Sequence, residues 1–420
     1  MSNAAATTLQ HPRVDLKSDV LRRDPVLIML SGALWSSAHP AVFFLGSLYL
    51  LRTSDSVAMT QLLQVTMFIP VALISISMGR MADRSANLTR TSLLAYVGIV
   101  ACLIVLAGAL FLTQVPQLIY GATILVGVSM VVTQVPRRRV LTASLQDANN
   151  TGAVLVIDTI VFFFFGAVIP VTLGAIAFQA GLGIAFGSLG AVLAIATLLL
   201  LGVRTKADTR RPHTSAKSTT DAPFRLPPLT VGVLLVTILL NIVVFPYLAM
   251  ITPMAHNLGA SDSATGLAVG MSSFGMLFAG LILGAFGWRA RRWRVFCVGS
   301  LLGVMSVLFM GLIPNLGYLT LMVFLAGMGG AIFAALQPAL GIRDVAEHHQ
   351  GRVLGLLVTA IGILPPGSLQ FGFLSDLYGI SAVMIAEGTI GVFILIAIWA
   401  VCTIRMKRSR TVETSIPIHP

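Results

Sequence analysis

Twelve apolar runs, each about 19 to 27 residues long, constrain the fold of this chain more than any other feature. A helix of roughly 20 apolar residues crosses the ~30 Å hydrocarbon core of a bilayer. Because lipid offers no hydrogen-bond partners to the backbone, continuous apolar runs of this length indicate transmembrane helices. The sequence therefore predicts an all-α integral membrane protein with twelve transmembrane helices. The runs are 26–51, 57–78, 91–112, 116–135, 153–179, 182–203, 229–252, 264–287, 295–313, 317–341, 353–374 and 381–404.

The basic residues lie almost entirely in alternate connections between these runs. Of the 27 Lys and Arg residues, Arg52 alone falls in the other set of connections. Because positively charged segments stay on the cytoplasmic side of a membrane, both termini and the 204–228 segment are predicted to be cytoplasmic. We expect a multi-pass protein of the plasma membrane, which in a bacterium is the inner membrane.

The composition excludes a soluble domain and argues against nucleic-acid binding. Only 10% of the residues are charged and 56% are hydrophobic, whereas soluble domains carry roughly 25% charged residues. The net charge of +12 is spread over short connections, with no basic domain to concentrate it. It is better explained by membrane topology and by contact with anionic lipid headgroups. The three cysteines lie in three different apolar runs and do not form a disulfide framework.

A polar segment divides the chain into two halves of six runs each. Residues 204–228 contain four prolines and several Ser and Thr without an apolar period, which is typical of a flexible linker. The predicted organisation is a cytoplasmic tail (1–25), a first bundle (26–203), the linker (204–228), a second bundle (229–404) and a second cytoplasmic tail (405–420).

Similar short motifs recur at corresponding places in the two halves. Gly79-Arg80-Met81-Ala82-Asp83-Arg84 follows the second run, and Gly284-Ala285-Phe286-Gly287-Trp288-Arg289 follows the eighth. Gln134-Val135-Pro136 marks the end of the fourth run, and Leu336-Gln337-Pro338 marks the end of the tenth. These correspondences indicate an internal duplication, so we expect two pseudo-symmetric six-helix bundles.

These motifs carry a resemblance to a known family. The segment Gly79 to Arg84, followed by Arg90, resembles the signature that the major facilitator superfamily carries between its second and third helices. The Pro-Arg-Arg-Arg run at 136–139 and the Gly-Arg-Val-Leu sequence at 351–354 resemble the enterobactin-exporter and macrolide-efflux branch. The resemblance covers roughly residues 26–404. It implies a secondary transporter that works by alternating access.

The signature residues are the candidates for a conformational latch. The resemblance implies that Gly79, Asp83, Arg84 and Arg90 favour the outward-open state through contacts that break on inward opening. A small residue permits close helix approach, and a carboxylate is stabilised near a helix N-terminus. The alternative is that the basic residues serve topology alone.

Asp158 is the first candidate for proton coupling. It lies inside the fifth run, near its cytoplasmic end, where an unpaired carboxylate costs a few kcal/mol. Burial raises the pKa of a carboxyl group, which favours reversible protonation. The alternatives are an acid that reaches headgroup water, or one paired with Arg137 or Arg138, which are assigned to the connection after the fourth run.

His39 and Glu387 are the other proton-coupling candidates. His39 lies in the middle of the first run and precedes Pro40, which loosens a helix by leaving a carbonyl without its backbone donor. The alternative for His39 is a satisfied interior side chain. Glu387 lies six residues into the twelfth run, where a structural role is the competing interpretation.

Four amides at membrane depth are candidates for lining a substrate cavity: Gln61, Gln64, Asn241 and Gln370. Each could instead form a hydrogen bond between helices. The Phe162–Phe165 run is expected to pack or to face lipid, with an apolar cavity as the alternative. Pro246 and Pro365-Pro366 predict kinks in the seventh and eleventh helices.

The sequence contains no P-loop, zinc-ligand or nucleophile-elbow pattern, so we expect neither an enzyme nor a cofactor or metal. By resemblance, we expect a monomeric exporter of an amphipathic small molecule, drug-like or siderophore-like, that works with membrane lipids around it and is driven by the proton gradient. The alternatives are an importer or facilitator with the same fold, and a transport-inactive sensor or scaffold.

Overall fold

A computed structural model describes residues 16–54, 56–84, 88–112, 116–147, 150–204, 226–286 and 292–414. Within these ranges the regular structure is helical, and twelve segments are long and apolar enough to cross a membrane. The predicted fold class is thereby confirmed. The helices are α1 (Leu16–Val20), α2 (Arg23–Ser36), α3 (Ala38–Ser54), α4 (Val57–Arg84), α5 (Leu88–Leu112), α6 (Pro116–Ala143), α7 (Thr151–Ala180), α8 (Leu182–Leu201), α9 (Pro228–Val243), α10 (Tyr247–Asn257), α11 (Asp262–Phe286), α12 (Arg292–Met310), α13 (Leu316–Ile342), α14 (Glu347–Ile361), α15 (Leu364–Tyr378) and α16 (Ile380–Thr414).

Three of the twelve spans are interrupted, each close to a proline. The first span is divided into α2 and α3 at Ser37, because Pro40 has no N–H to donate to the carbonyl of Ser36. The seventh is divided into α9 and α10 next to Pro246, and the eleventh into α14 and α15 next to Pro365. The predicted kinks in the seventh and eleventh spans are therefore present.

Two helices extend beyond the apolar runs from which they were predicted. Helix α6 continues to Ala143, past the predicted end at 135, so Arg137 and Arg138 are helical residues instead of residues of a connection. Helix α16 continues to Thr414, so the segment predicted as a tail from 405 begins as helix. Both extensions are polar, which is why hydropathy alone ends the spans too early.

The helices form two bundles that meet along two pairs of helices. Within the first half, α4 packs on α6 and α5 on α8; within the second half, α12 packs on α13 and α16. Between the halves, α7 packs on α11 and α4 packs on α15. We call the face where α2 begins and α16 ends the terminal face, and the other membrane face the opposite face.

Glycines allow the same close helix approach in both halves. A Cβ added at Gly127 on α6 would overlap the backbone oxygen of Met67 on α4. A Cβ added at Gly327 on α13 would overlap the backbone oxygen of Ser272 on α11 in the same way. Only glycine fits at such close contacts, which is how small residues join helices in membranes.

The short helix α1 is anchored to the segment that follows α6. The carboxylate of Asp19 accepts hydrogen bonds from the backbone N–H groups of Gln146 (2.9 Å) and Asp147 (3.2 Å) and from Asn150 Nδ2 (3.1 Å). Its side chain has no accessible surface, although it lies close to the protein exterior. Burial acts to raise the pKa of Asp19, but these hydrogen bonds outweigh it and hold the pKa below its ordinary value.

Candidate transport site

A central cavity of about 120 Å³ lies between the two bundles. It is enclosed by the interrupted first and seventh spans together with α4, α7 and α11, so both halves of the chain contribute to its wall. The lining is mostly apolar and aromatic with a few polar groups: Ser36, His39, Pro40, Phe43, Phe44, Gln64, Phe162, Phe163, Gly166, Leu248, Ile251, Thr252, Val269, Ser272, Ser273 and Met276.

His39 lies at the break in the first span and faces this cavity. Its ring packs edge-on against Phe43, with centroids 6.1 Å apart, and against Phe68 at 5.7 Å. Among the described residues, no group hydrogen-bonds its ring nitrogens. Those nitrogens are thus available to a bound solute or to water.

A second, smaller chamber of about 40 Å³ lies inside the first bundle and shares His39 with the central cavity. Ser129, Thr133 and Arg137 on α6 line its other side. A site needs roughly 10–15 Å³ and two to four polar partners to hold a water molecule, so this chamber is large and polar enough for water. It connects the surroundings of His39 to the guanidinium of Arg137.

Arg137 and Asp158 form a bidentate ion pair beside the chamber. Arg137 donates from Nη1 to Asp158 Oδ1 at 2.6 Å and from Nη2 to Oδ2 at 2.8 Å. Their side chains are 10% and 4% exposed. Gly32 on α2 makes room for the guanidinium, since a Cβ there would overlap Arg137 Nη1. Asp158 is thus paired, as one of the sequence-based alternatives stated.

The four amides predicted from the sequence lie in different environments. Gln64 lines the central cavity, and its Nε2 donates to the carbonyl of Phe245 at the break in the seventh span (3.2 Å). Gln61 donates to the carbonyl of Pro246 (3.4 Å). Both glutamines therefore connect the first bundle to the second.

Asn241 and Gln370 lie away from the central cavity. Asn241 is buried and donates to the backbone oxygen of Thr237 in its own helix (2.8 Å). Gln370 is exposed and donates to Glu387 Oε1 (2.5 Å), joining α15 to α16. Glu387 is buried between those two helices, and it does not line the central cavity or the chamber.

The bundles are held together at the opposite face. Arg52 at the end of α3 contacts both carboxylate oxygens of Asp262 at the start of α11, at 2.6 and 2.7 Å. Asp376 at the end of α15 accepts hydrogen bonds from the N-terminal residues of α4, including the backbone N–H of Val57 at 2.8 Å. The predicted lone cation of this face thus has a specific partner in the other bundle.

Helices α7 and α11 touch near the opposite face and separate toward the terminal face. A Cβ added at Gly266 would lie 2.5 Å from the backbone oxygen of Pro170, and one at Gly270 would lie 2.5 Å from that of Ala167. By contrast, a Cβ added at Gly280 or Gly284 would meet no atom within 4 Å. The interface is closed on one side of the central cavity and open on the other.

The latch candidates Gly79, Asp83, Arg84 and Arg90 lie outside the residues whose side chains are described. Helices α4 and α5 run through these positions, but their contacts are not part of the described structure. The latch role therefore stays a prediction.

Two overlapping matches, over residues 26–366 and 233–417, relate this sequence to the model of the Major Facilitator Superfamily. The chain belongs to this superfamily. A comparison with curated proteins gives no match. The transporter's fold, its twelve spans and its pairing of six and six helices agree with that membership.

Solved transporters share the fold over nearly the whole chain. The nucleoside transporter NupG is 15% identical, with a TM-score of 0.65 over 92% of this chain and 99% of that one. The xylose transporter XylE from E. coli, in an inward-open conformation, is 13% identical, with a TM-score of 0.69 over 92% of this chain and 96% of that one. A peptide transporter of the POT type gives 10% identity and a TM-score of 0.71, over 90% and 94%. At these identities the likeness concerns the fold.

Several residues of this transporter's site were not predicted from the sequence. Phe43, Ser272, Ser273 and Met276 line the central cavity without any motif to mark them. Arg137 was assigned to a connection, although the need of Asp158 for a partner pointed to it. Arg52 carried a usable signal, because a lone cation on a face whose other charged residues include the acids Asp262 and Asp376 has no role in topology.

Proposed function

We propose that this transporter exports amphipathic small molecules by alternating access, in exchange for protons. The aromatic and apolar wall of the central cavity, with Phe43, Phe162 and Phe163 on one side and Met276 on the other, suits a drug-like solute. A siderophore, which presents many polar groups, would leave those groups unpaired against this wall. The resemblance to the enterobactin-exporter and macrolide-efflux branch supports export, and the apolar lining favours the macrolide side of it.

The observation that carries the proposal is the position of His39. It stands in the wall common to the central cavity and to the chamber that ends at Arg137. Histidine is the side chain whose ordinary pKa lies nearest neutrality. A proton taken up from the cavity by His39 therefore has a short polar route, through the chamber, to the Arg137–Asp158 pair.

The ion pair completes the coupling scheme. While Asp158 is ionised it holds Arg137; once protonated, it releases the guanidinium into the chamber. Tyr96 on the neighbouring α5 interacts with the guanidinium, and because it is neutral it does not replace the carboxylate charge. The solute and the proton thus bind to the same state of the first bundle and exclude each other. The exchange of one for the other requires such competition.

We further propose that the termini are cytoplasmic, that the chain works as a monomer in a bacterial inner membrane, and that Gly79, Asp83, Arg84 and Arg90 latch the cytoplasmic side. The terminal face is then the cytoplasmic face, and the closed contacts of the opposite face correspond to an inward-facing state. XylE and the Spinster homologue, both named for inward conformations, are similar in fold.

The test of the proposed function is a transport screen. Cells with and without the chain are compared for growth inhibition and for accumulation of a panel of cationic, neutral and anionic amphiphiles, alongside polar sugars, nucleosides and peptides. We expect lower accumulation of one or more amphiphiles. Uptake of a polar solute would support the importer alternative, and a partner protein without any transported solute would support the scaffold alternative.

A further inference from the structure

A cleft of about 530 Å³ opens between the bundles on the terminal side of the central cavity. Helices α6 and α7 form one wall and α11 and α13 form the other. Ligand pockets typically enclose several hundred cubic ångströms, a size that this cleft reaches and the central cavity alone does not. The cleft is therefore large enough to admit a small solute from outside.

The cleft adjoins the central cavity. Phe163 on α7 and Met276 on α11 line both spaces, so these two side chains form the boundary between them. From this boundary the cleft follows α11 as far as Gly284, eight residues and therefore about two helical turns away.

The inner wall of the cleft is apolar and built from small residues on one side. Gly280, Gly284, Ala331, Ala334 and Ala335 leave the space open on the second bundle. Leu155, Val156 and Ile160 face it from α7, and Val156 is 53% exposed. Exposed Phe278 and Leu281 continue from this wall onto the outer surface of α11. The cleft thus borders the surface that faces lipid.

Arg138 is the charged group at the cleft. It lies on α6 near the terminal face, and its side chain is exposed. It is separate from the buried Arg137 next to it, because consecutive helical residues point in different directions. Arg138 lies five residues beyond the apolar stretch 116–133 of its span, so we expect its guanidinium to reach headgroup level, where it favours an anionic partner.

We propose that this cleft is a lateral portal through which an anionic amphiphile enters from the membrane leaflet at the terminal face, with its aliphatic tail along α7 and α11 and its headgroup on Arg138. The role of the cleft as an entrance rests on the proposed function. Binding of the amphiphile in the cleft does not depend on transport. The apolar, small-residue walls of the cleft match the aliphatic tail of the ligand. The cation at its outer end matches the anionic headgroup.

The test uses the full chain in nanodiscs that contain equal amounts of phosphatidylglycerol and phosphatidylcholine. One of the two lipids carries a photoreactive diazirine in its acyl chain, and labelled residues are mapped by mass spectrometry. We expect phosphatidylglycerol to label 155–163 and 276–284 about fivefold more than phosphatidylcholine does, the ratio that corresponds to ~1 kcal/mol per basic residue at an anionic surface. The exposed residues Leu94, Val97, Ile104 and Val105 of α5 should be labelled equally by both lipids.

Arg138→Gln should bring the ratio in the cleft to about one, whereas Arg294→Gln, which removes a cation from the same face outside the cleft, should leave it unchanged. Gly280→Trp should lower labelling of 155–163 severalfold, while Gly98→Trp on lipid-facing α5 should not. The portal proposal would be overturned if both lipids labelled the wild-type cleft equally, or if neither lipid labelled it. A labelled cleft in a chain without transport activity would leave the portal intact and reject the proposed function.

Discussion

The two halves of this transporter share a scaffold but differ in the chemistry of their interiors. Both halves bring helices together at glycines, through Gly127 in the first and Gly327 in the second. The first half encloses the Arg137–Asp158 ion pair. Near the terminal ends of its spans, the second half uses a neutral hydrogen bond, from Gln337 Nε2 to Thr237 Oγ1 at 2.9 Å.

This difference separates what the fold needs from what the function needs. Burying an ion pair carries a desolvation cost that often exceeds the attraction between the charges. Since α9 and α13 of the second half are joined by a neutral hydrogen bond, contacts between the helices of such a bundle do not require a buried ion pair. Under the proposed function, the ion pair of the first half serves coupling, and both halves supply the wall of the cavity.

The largest effect is expected for Asp158→Asn. The substitution leaves the Arg137 guanidinium buried without a counter-charge, which costs about 3–5 kcal/mol when one partner of a buried pair is removed. We expect a large loss of thermal stability in detergent together with loss of gradient-driven accumulation. The melting temperature and transport are measured on the same preparation.

The double variant Asp158→Asn/Arg137→Gln separates the two losses. Removing both charges should restore much of the stability and keep substrate binding or downhill exchange, while accumulation against a gradient stays lost. Full pH-gradient-driven accumulation in the double variant would show that the pair is structural, and that the two halves do not differ in the way described.

Gln337→Leu tests the other half of the comparison. It removes the neutral hydrogen bond to Thr237 and leaves a buried hydroxyl that still bonds within its own helix. We expect a loss of stability of about 1 kcal/mol, the usual net contribution of one neutral hydrogen bond. The pH dependence of transport should be unchanged. A shifted pH profile, measured between pH 5 and 8, would place coupling chemistry in the second half as well.

Arg52→Gln tests the contact between the halves at the opposite face. Arg52 is 47% exposed, so the pair is expected to contribute only ~0.2–1 kcal/mol. Opening on that side should rise by about fivefold at most, detected as faster labelling of a cysteine introduced at Ser273 by a membrane-impermeant thiol reagent. Arg343→Gln, whose partner Asp344 is its neighbour in sequence, is the control and should not change the rate.

The smallest effect is expected at α1. Because its pKa is lowered in the folded chain, Asp19 contributes stability above its ordinary pKa, and this contribution is lost as the pH falls through the lowered value. Asp19→Asn should weaken the anchoring of α1 at neutral pH, seen as faster tryptic cleavage at Lys17 and Arg22. The exposed acid Asp344 provides the control; equal cleavage of Asp19→Asn and Asp344→Asn would refute the anchor.

The fold was predictable because its signals are local. Run length and basic residues specify twelve spans, and prolines mark the breaks near Pro246 and Pro365. The end of α6 was not predictable from hydropathy, since its last turns are polar and Arg137 is buried there by a partner 21 residues further on. The residues that face the cavity could not be predicted in helices that are apolar on all sides, because such helices give no amphipathic signal.

The site was predictable only where a polar residue stood out. His39 and Gln64 were chosen as polar groups at membrane depth, and both line the central cavity. Gln370 and Glu387 were chosen by the same rule, yet they bond to each other away from it. The Arg52–Asp262 pair joins residues 210 positions apart, a contact that composition and spacing do not encode.

Proton movement during transport tests the central claim most directly. The purified chain is reconstituted into liposomes that contain a pH-sensitive dye, and a substrate identified in the screen is added on one side without any imposed proton gradient. We predict that substrate entry drives protons out of the lumen. His39→Gln and the Asp158→Asn/Arg137→Gln double variant should abolish this proton efflux while keeping downhill exchange of the substrate. Glu387→Gln should leave the proton efflux unchanged. Substrate movement with no change in lumenal pH in the wild-type chain would contradict proton coupling through the first half.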